Sequence, residues 1–336
     1  MDQQTSIVVT SIAKPNQVLQ TIARECNRRG VYFCVVGDEP SPADFHIDGC
    51  EFYSIERQRD TGFRFASICP LRHYARKNIG YLLAIERGSR LIVETDDDNI
   101  PGEEFWARRT RGHSVPLAVE AGWLNVYAYF SDANIWPRGL PLDAVQRKPQ
   151  PFDQLRIREV DAPIQQGLAD ENPDVDAIYR LVLPLPQYFL AGRRVALARG
   201  VWCPFNSQNT AWWPEAFALL YLPAYCSFRM TDIWRSFVAQ RIAWENGWSL
   251  LFESASVRQE RNEHALLRDF RDEIPGYLHN EAICERLEAL SLKAGIDNIP
   301  ENLRRCYETF IRENLIEERE FDLLDAWLSD VRAIRG

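Results

Sequence analysis

The sequence predicts an α/β protein with a mixed, mainly parallel central sheet flanked by helices and a helical extension at its C-terminus. Three observations predict this. Short β-branched runs alternate with segments of helical period over the first hundred residues. Acidic residues directly follow two of those runs, at Asp38 and at Asp96-Asp97-Asp98. From Tyr277 onward the apolar spacing is helical throughout.

The elements follow in order. Ile7-Val8-Val9-Thr10-Ser11 reads as a buried strand. Pro15 opens a helix whose face carries Val18, Leu19, Ile22 and Ala23 and which closes at Arg29-Gly30. Residues 31–36 form a second strand ending at Gly37-Asp38, and residues 51–54 a short third. Residues 72–87 read as a helix stopped by Gly88, and Leu91-Ile92-Val93-Glu94-Thr95 as a further strand. Residues 135–165, rich in Pro, Gln and Arg, read as a long excursion around the core. Asp232 opens an amphipathic helix with Ile233, Phe237, Val238 and Ile242 on one face and Gly247 at its end. Three helices, at 282–292, 300–315 and 317–334, complete the chain. The expected organisation is a catalytic unit over 1–276, with a nucleotide-binding half (1–100) and an acceptor half (101–276), followed by a helical extension over 277–336 that packs on it or makes an oligomer.

Composition narrows the function classes. The chain has 336 residues, 48 acidic and 39 basic, for a net charge of −9. That balance argues against wrapping a long nucleic acid, whose binders are basic overall, but leaves room for a small anionic substrate. Eight cysteines form no C-x-x-C pair, so they read as reduced, buried thiols. No apolar run approaches the ~20 residues that span a bilayer. The expectation is a soluble, cytoplasmic protein. Gly-x-Gly-x-x-Gly and Gly-x-x-x-x-Gly-Lys-Ser/Thr are both missing, which removes the main support for Rossmann and P-loop chemistry.

In α/β sheets ligands gather at the carboxyl ends of the strands. Three adjacent carboxylates there need a positive partner, and Mg²⁺ or Mn²⁺ with hard oxygen ligands supplies one. The competing reading is a solvated acidic turn before Pro101.

Several stretches resemble the STELLO-type glycosyltransferase family. One is Tyr74-Ala75-Arg76-Lys77-Asn78-Ile79-Gly80-Tyr81-Leu82-Leu83-Ala84-Ile85, followed by Glu94-Thr95-Asp96-Asp97-Asp98-Asn99. The others are Gln166-Gly167-Leu168-Ala169-Asp170-Glu171-Asn172-Pro173-Asp174-Val175-Asp176, Pro204-Phe205-Asn206-Ser207-Gln208-Asn209-Thr210, and Thr231-Asp232-Ile233-Trp234-Arg235 running on through Ala239-Gln240-Arg241. The resemblance implies a GT-A-type nucleotide-sugar fold with the acidic run as its D-x-D motif. Plant members of the family are membrane-anchored Golgi proteins; this chain shows no anchor, so their location and their cellulose-synthase association are not carried over.

Roles follow by analogy with that fold. Asp98 is the expected direct metal ligand, while Asp96 touches the metal waters or the ribose; Asp97 faces solvent or stabilises the turn. A histidine downstream of the catalytic carboxylate makes His264 a further candidate ligand, with a surface or packing role as its alternative. Arg76 and Lys77 are candidates for phosphate contact, with at most one facing the site because neighbours on a helix diverge. Asp38 is placed to contact the base, or to serve the Gly37-Asp38 turn. Asn206, Asn209 and one of Trp212 or Trp213 (Trp213 first), in a polar loop, are candidates for donor or acceptor contact, with core packing as the tryptophans' alternative. Asp170, Asp174 and Asp176 are further candidates for sugar hydroxyls, or belong to a plain loop. Asp232, an N-cap by its position, is the candidate general base if the reaction inverts.

The reading is thus a Mn²⁺- or Mg²⁺-dependent transferase moving a sugar from a nucleotide diphosphate donor, first of all a UDP-sugar, to an unidentified glycan, lipid-linked or protein acceptor. The alternatives are a nucleotide-sugar mutase or nucleotidyltransferase on the same fold, or a non-catalytic glycosyltransferase-like scaffold.

Overall fold

The computed structural model describes residues 1–260 and 265–336. The chain begins with β1 (Thr5–Thr10), α1 (Gln17–Arg29), β2 (Tyr32–Val36) and β3 (Glu51–Tyr53), whose strands pair in parallel. Helix α1 forms where expected. The Asn16 side chain accepts from Leu19 N at 2.9 Å, Gly30 closes it at φ 67°, and Val18, Leu19, Ile22, Ala23 and Cys26 are buried. Two short helices follow, α2 (Ile55–Arg59) and α3 (Arg64–Ile68), then α4 (Lys77–Glu86) and β4 (Leu91–Thr95), which lies parallel to β1.

The helix expected over 72–87 starts as a 3₁₀ turn at Tyr74–Arg76, because His73 Nδ1 accepts from Ala75 N at 3.0 Å and tightens the entry. Helix α4 is buried along almost its whole length and lies very close to the sheet at Gly80. A β-carbon there would stand 2.5 Å from Val8 Cγ1 and 2.9 Å from Val36 Cγ2.

The remaining strands are β5 (Asn99–Pro101), β6 (Gly112–Ala118), β7 (Gly122–Trp123), β8 (Arg156–Asp161) and β9 (Ile164–Asp170); then, after α5 (Ala177–Val182), come β10 (Arg194–Leu197), β11 (Val201–Trp202) and β12 (Asn209–Trp212). Helix α6 (Thr231–Glu245) leads into β13 (Leu250–Gln259), and α7 (Leu266–Glu288), α8 (Ile299–Arg312) and α9 (Glu320–Arg335) end the chain.

The main sheet runs β3-β2-β1-β4-β12-β9-β13-β10-β6-β8, with β5 paired to β13 and β7 with β11 forming a separate ribbon. The expected α/β architecture with a mixed central sheet and flanking helices is therefore present. Its first four strands are all parallel, whereas β12 runs antiparallel to both β4 and β9. This arrangement brings the C-terminal ends of β1, β2, β4, β9 and β13 and the start of β12 to one edge, the edge that carries Asp96.

Two expectations are revised. The 135–165 excursion contains β8, whose first four residues are exposed on both faces at the sheet margin, so no buried run announces it. The helical tail starts earlier than Ala282: α7 begins at Leu266 and runs through Pro275, so a boundary at 276 falls inside it. The tail is also built into the core. Trp327 is fully buried and donates to Ala218 O at 3.0 Å, and Asp330 accepts from Arg64 N and Phe65 N at the start of α3. Among the described residues no helix is long and apolar enough to cross a membrane.

Candidate functional site

A cleft of about 640 Å³ opens at the edge where the parallel strands end. One side comes from the segments after β1 and β2, including Ser11, Gly37 and Asp38; the other comes from Asn206, Ser207 and Asp232. Asp96, Asp97 and Asp98 lie between them, directly after β4.

The three adjacent carboxylates have different surroundings. Asp96 Oδ1 accepts from Lys77 Nζ at 3.0 Å and from Tyr74 OH at 3.1 Å, while its side chain remains 28% exposed. Asp97 turns toward β1: its Oδ2 accepts from Ser11 Oγ at 2.5 Å and its carbonyl from Asn16 Nδ2 at 2.8 Å. Burial raises the Asp97 carboxyl above the usual range against the lowering effect of that serine. Of the two roles open to Asp97, the structure shows the turn-stabilising one. Asp98 accepts from Gln259 Nε2 at 3.2 Å on both carboxylate oxygens, which ties the run to the end of β13.

Lys77 and Arg76 are both buried, so neither lies on a solvated helix face. Lys77 Nζ reaches Thr95 O and Tyr74 OH at 2.8 Å and Ser207 O at 3.1 Å besides Asp96, and thus forms a fixed cation beneath the acidic run. The Arg76 guanidinium binds Gln58 Oε1 at 2.8 and 2.5 Å and the carbonyls of Cys69 and Pro70. Phosphate contact from Arg76 would require breaking those bonds. Asp38 lines the cleft, and its carboxylate accepts from His73 N at 2.9 Å and Glu39 N at 2.8 Å, as a turn former does.

Asp232 sits in the first turn of α6, buried and facing the same cleft. Arg138 NH2 lies 3.1 and 3.0 Å from its two oxygens and also binds Asp174, Nε to Oδ1 and NH2 to Oδ2, both at 2.8 Å. Burial alone would raise the Asp232 carboxyl; the Arg138 guanidinium outweighs it and holds the group below its ordinary range. Ser207 N and Oγ each donate to Asp232 Oδ2 at 3.3 Å. Ser207 Oγ is also 2.6 Å from Tyr74 OH, so two hydroxyls stand in line between Asp96 and Asp232; with one proton each, they make two of the three possible bonds at a time.

The remaining candidates divide. Asn206 lines the cleft, its side-chain oxygen accepting from Gln208 N at 3.0 Å. Asn209 is buried in β12 with its amide donating to Leu168 O and Ser256 Oγ, and it serves the sheet rather than the cleft. Trp213 lies at the wrong end: Asn209 pairs with Thr95 but Trp212 with Ile92, so Trp213 follows the strand end remote from the acidic run. Asp174 is in the cleft through Arg138, Asp170 accepts from Phe189 N, and Asp176 caps α5. His264 lies outside the described residues, as does any contact it makes. Among the described residues no three His, Cys, Asp or Glu side chains form a cluster that holds a metal by themselves.

Sequence reasoning missed Arg138, Tyr74 and Ser207. Tyr74 and Ser207 lay inside stretches already singled out, but only their position at a helix entry and in a strand-entry loop marked them. Arg138 lay in the excursion after Trp136-Pro137, with no local pattern to mark it.

The fold and cleft define an α/β protein that gathers carboxylates and buried cations at its strand ends. Comparison with known proteins gives that class a family likeness. A family model described as STELLO glycosyltransferases matches residues 229–335. "Probable glycosyltransferase STELLO1" of Arabidopsis thaliana is 28% identical over 280 residues, covering 76% of this chain and 36% of the relative. "Probable glycosyltransferase STELLO2" from the same plant is 28% identical over 289 residues, covering 79% and 37%. The resemblance read from the motifs is thereby borne out, and the chain spans a little over a third of the length of these relatives. A solved structure titled "Crystal Structure of a Mycobacterial Protein" superposes with a TM-score of 0.38 at 10% identity, covering 83% of this chain and 74% of the other.

Proposed function

We propose that this chain is a GT-A-type glycosyltransferase that uses a nucleotide diphosphate sugar, with a UDP-sugar as the first donor to test. The observation that carries the reading is the pairing of Asp96 and Asp98 with Asp232 across one cleft, linked by Tyr74 and Ser207. The names of the relatives support the same activity.

The residues fit a divalent cation. Asp98 and the cleft-exposed part of Asp96 offer hard oxygen donors, and Lys77 neutralises only part of the acidic run. Asp98 and Asp96 would hold the ion, and Mn²⁺ or Mg²⁺ there would supply Lewis-acid stabilisation of the diphosphate leaving group. Asp97 keeps the turn in register, and Lys77 fixes Asp96 before any ligand arrives. If the reaction inverts, the acceptor oxygen attacks the anomeric carbon as the bond to the diphosphate breaks, and Asp232 receives the hydroxyl proton. Asp232 is held ionised for this by Arg138, and Ser207 orients it.

Calorimetry of UDP with and without Mn²⁺ tests the reading. Metal-dependent binding by the native protein, lost in an Asp96→Ala/Asp98→Ala double variant, supports it. Metal-dependent binding that survives in the double variant refutes the metal assignment. Slow Mn²⁺-dependent release of nucleotide diphosphate from a sugar donor supports transfer, and no binding of any nucleotide would sink the catalytic reading.

A further inference from the structure

A second concavity lies beside the cleft, and the two share the side chains of His73 and Phe228. Its floor is the 224–228 segment that leads into α6, and its wall is the last residues of α8 (Ile311, Arg312) with the turn that joins α8 to α9. The groove is rigidly built. The buried Glu320 carboxylate accepts from Ala224 N at 3.1 Å, from Tyr225 N at 2.7 Å and from Tyr221 OH, and Glu317 N donates to Tyr225 O at 3.0 Å. Ser227 Oγ donates to Asp272 O, fixing the same segment to α7.

Phe228 stands at the junction. It is 53% exposed, an uncommon state for so large an apolar ring, and it is held edge-on by His73 and Tyr74 at centroid separations of 5.8 and 6.4 Å. Tyr74 in turn touches Asp96 and Ser207, and Arg229, the next residue, accepts at its carbonyl from Arg138. Phe228 thus borders both the groove and the cleft that holds the two carboxylates. The groove itself mixes the exposed Phe228 ring, and Tyr225 with Arg319 stacked 3.8 Å over it, with polar groups of both signs, Arg312, Glu318 and Arg319 among them. Mixed charges disfavour a polyanion, and the many polar groups disfavour a lipid chain. Hydroxyl-rich rings match both features, since their C–H faces stack on aromatics while their hydroxyls take hydrogen bonds from charged side chains.

We propose that this groove is the acceptor subsite, that its occupant is a saccharide, and that the α8–α9 turn forms its outer wall. The inference rests on the transferase reading above, since it assigns the second substrate of that reaction. It gives the C-terminal helices a part in substrate selection.

Saturation-transfer NMR on the full chain, using the methyl β-glycosides of glucose, galactose, mannose and xylose without any nucleotide, tests the groove directly. At least one glycoside is expected to receive saturation from the native protein. Phe228→Ala should weaken that binding by about tenfold, the size of a lost ring contact. Glu318→Trp, which puts a bulky ring into the groove from an exposed position, should abolish it. No transfer to any of the four glycosides, or equal transfer in both variants, overturns the subsite. Nucleotide binding measured on the same samples separates the two claims. Glycoside binding without UDP binding sinks the donor reading alone, and UDP binding without glycoside binding sinks the groove alone.

Discussion

Asp96 and Asp232 are both carboxylates of the cleft, yet different cations neutralise them, and this difference sets what each can do. Asp96 has a lysine beneath it and open space above, so it can still engage a ligand. Asp232 is closed in by Arg138 and by Ser207, and it remains ionised because the guanidinium overcomes the burial penalty. Asp232→Asn is expected to lower turnover by about 10²–10⁴-fold with little change in nucleotide affinity, measured by steady-state release of nucleotide diphosphate. The pairing with Arg138 has a pH consequence. A carboxyl held below its unfolded value contributes stability that is present above that value and is lost as pH falls through the folded one. Arg138→Met removes the guanidinium from two buried carboxylates. Unfolding in urea should show a loss of about 3–5 kcal/mol at neutral pH, and the acid limb of the rate profile should move to higher pH as burial alone then acts on Asp232. An unchanged acid limb would separate Arg138 from Asp232. The acidic run was legible because three adjacent acids after a buried strand demand an explanation. Arg138 was not legible, because only the folded chain brings residue 138 to residues 174 and 232.

At the scale of elements, β4 and α6 form the frame on which the site is mounted. Glu94, one turn of the pleat below Asp96, is fully buried and accepts from Trp212 Nε1 at 2.8 Å, Arg235 NH1 at 2.9 Å and Tyr81 OH. Arg235 lies three residues after Asp232, so one buried ion pair fixes the strand bearing Asp96 to the helix bearing Asp232. Helix α5 carries a different kind of group. Asp176 caps it through Tyr179 N at 2.8 Å, and its other oxygen accepts from Trp136 Nε1 at 2.7 Å, while burial pushes its carboxyl up to about 6. A carboxyl raised on folding binds protons more tightly in the native state, so stability falls as pH rises from its unfolded value to about 6. Asp176→Asn keeps a good capping residue and removes the charge. Thermal melts between pH 4.5 and 7 should show the variant losing less stability than the native chain, by on the order of 1–3 kcal/mol across that span. Parallel melting curves would argue that Asp176 does not titrate there. Helix α1 was readable from periodicity because it buries one face, and the first strands from their β-branched runs; α6 is buried on nearly every side, so its apolar stripe marked a helix but not the depth of its burial. Strand β8 was not, because a strand at the sheet margin buries little and leaves no apolar run.

Across the whole molecule the sequence suggested a catalytic unit with a helical extension that packs on it or makes an oligomer; in the fold the extension is packed into the core. Asp330 caps α3 and Glu320 holds the 221–225 segment, so the last helix reaches into both ends of the core. Truncation after residue 276 would cut α7 inside its span and leave these backbone donors without acceptors. The truncated protein is expected to lose its cooperative melting transition, as followed by circular dichroism. A sharp transition would restore the picture of an independent catalytic unit. Amphipathic spacing identified the tail as helical, but a repeating apolar face does not say which surface it meets. That depends on residues hundreds of positions away. The net charge of −9 acquires a location in the same way: part of the acidity borders the cleft, where Lys77 and Arg138 offset some of it.

Gly80 links these scales. With no side chain at 80, α4 lies closer to Val8 and Val36 than any β-carbon there would allow, and Lys77 stands one turn earlier on the same helix. The position of the ammonium among Thr95, Ser207 and Asp96 is thus gauged by an atom that is missing three residues away. Any methyl group at 80 would act as a shim, lifting the helix from Val8 and Val36 and withdrawing the cation from the acids it serves. An exchange that looks conservative in a helix would then register as a change in the electrostatics of the cleft.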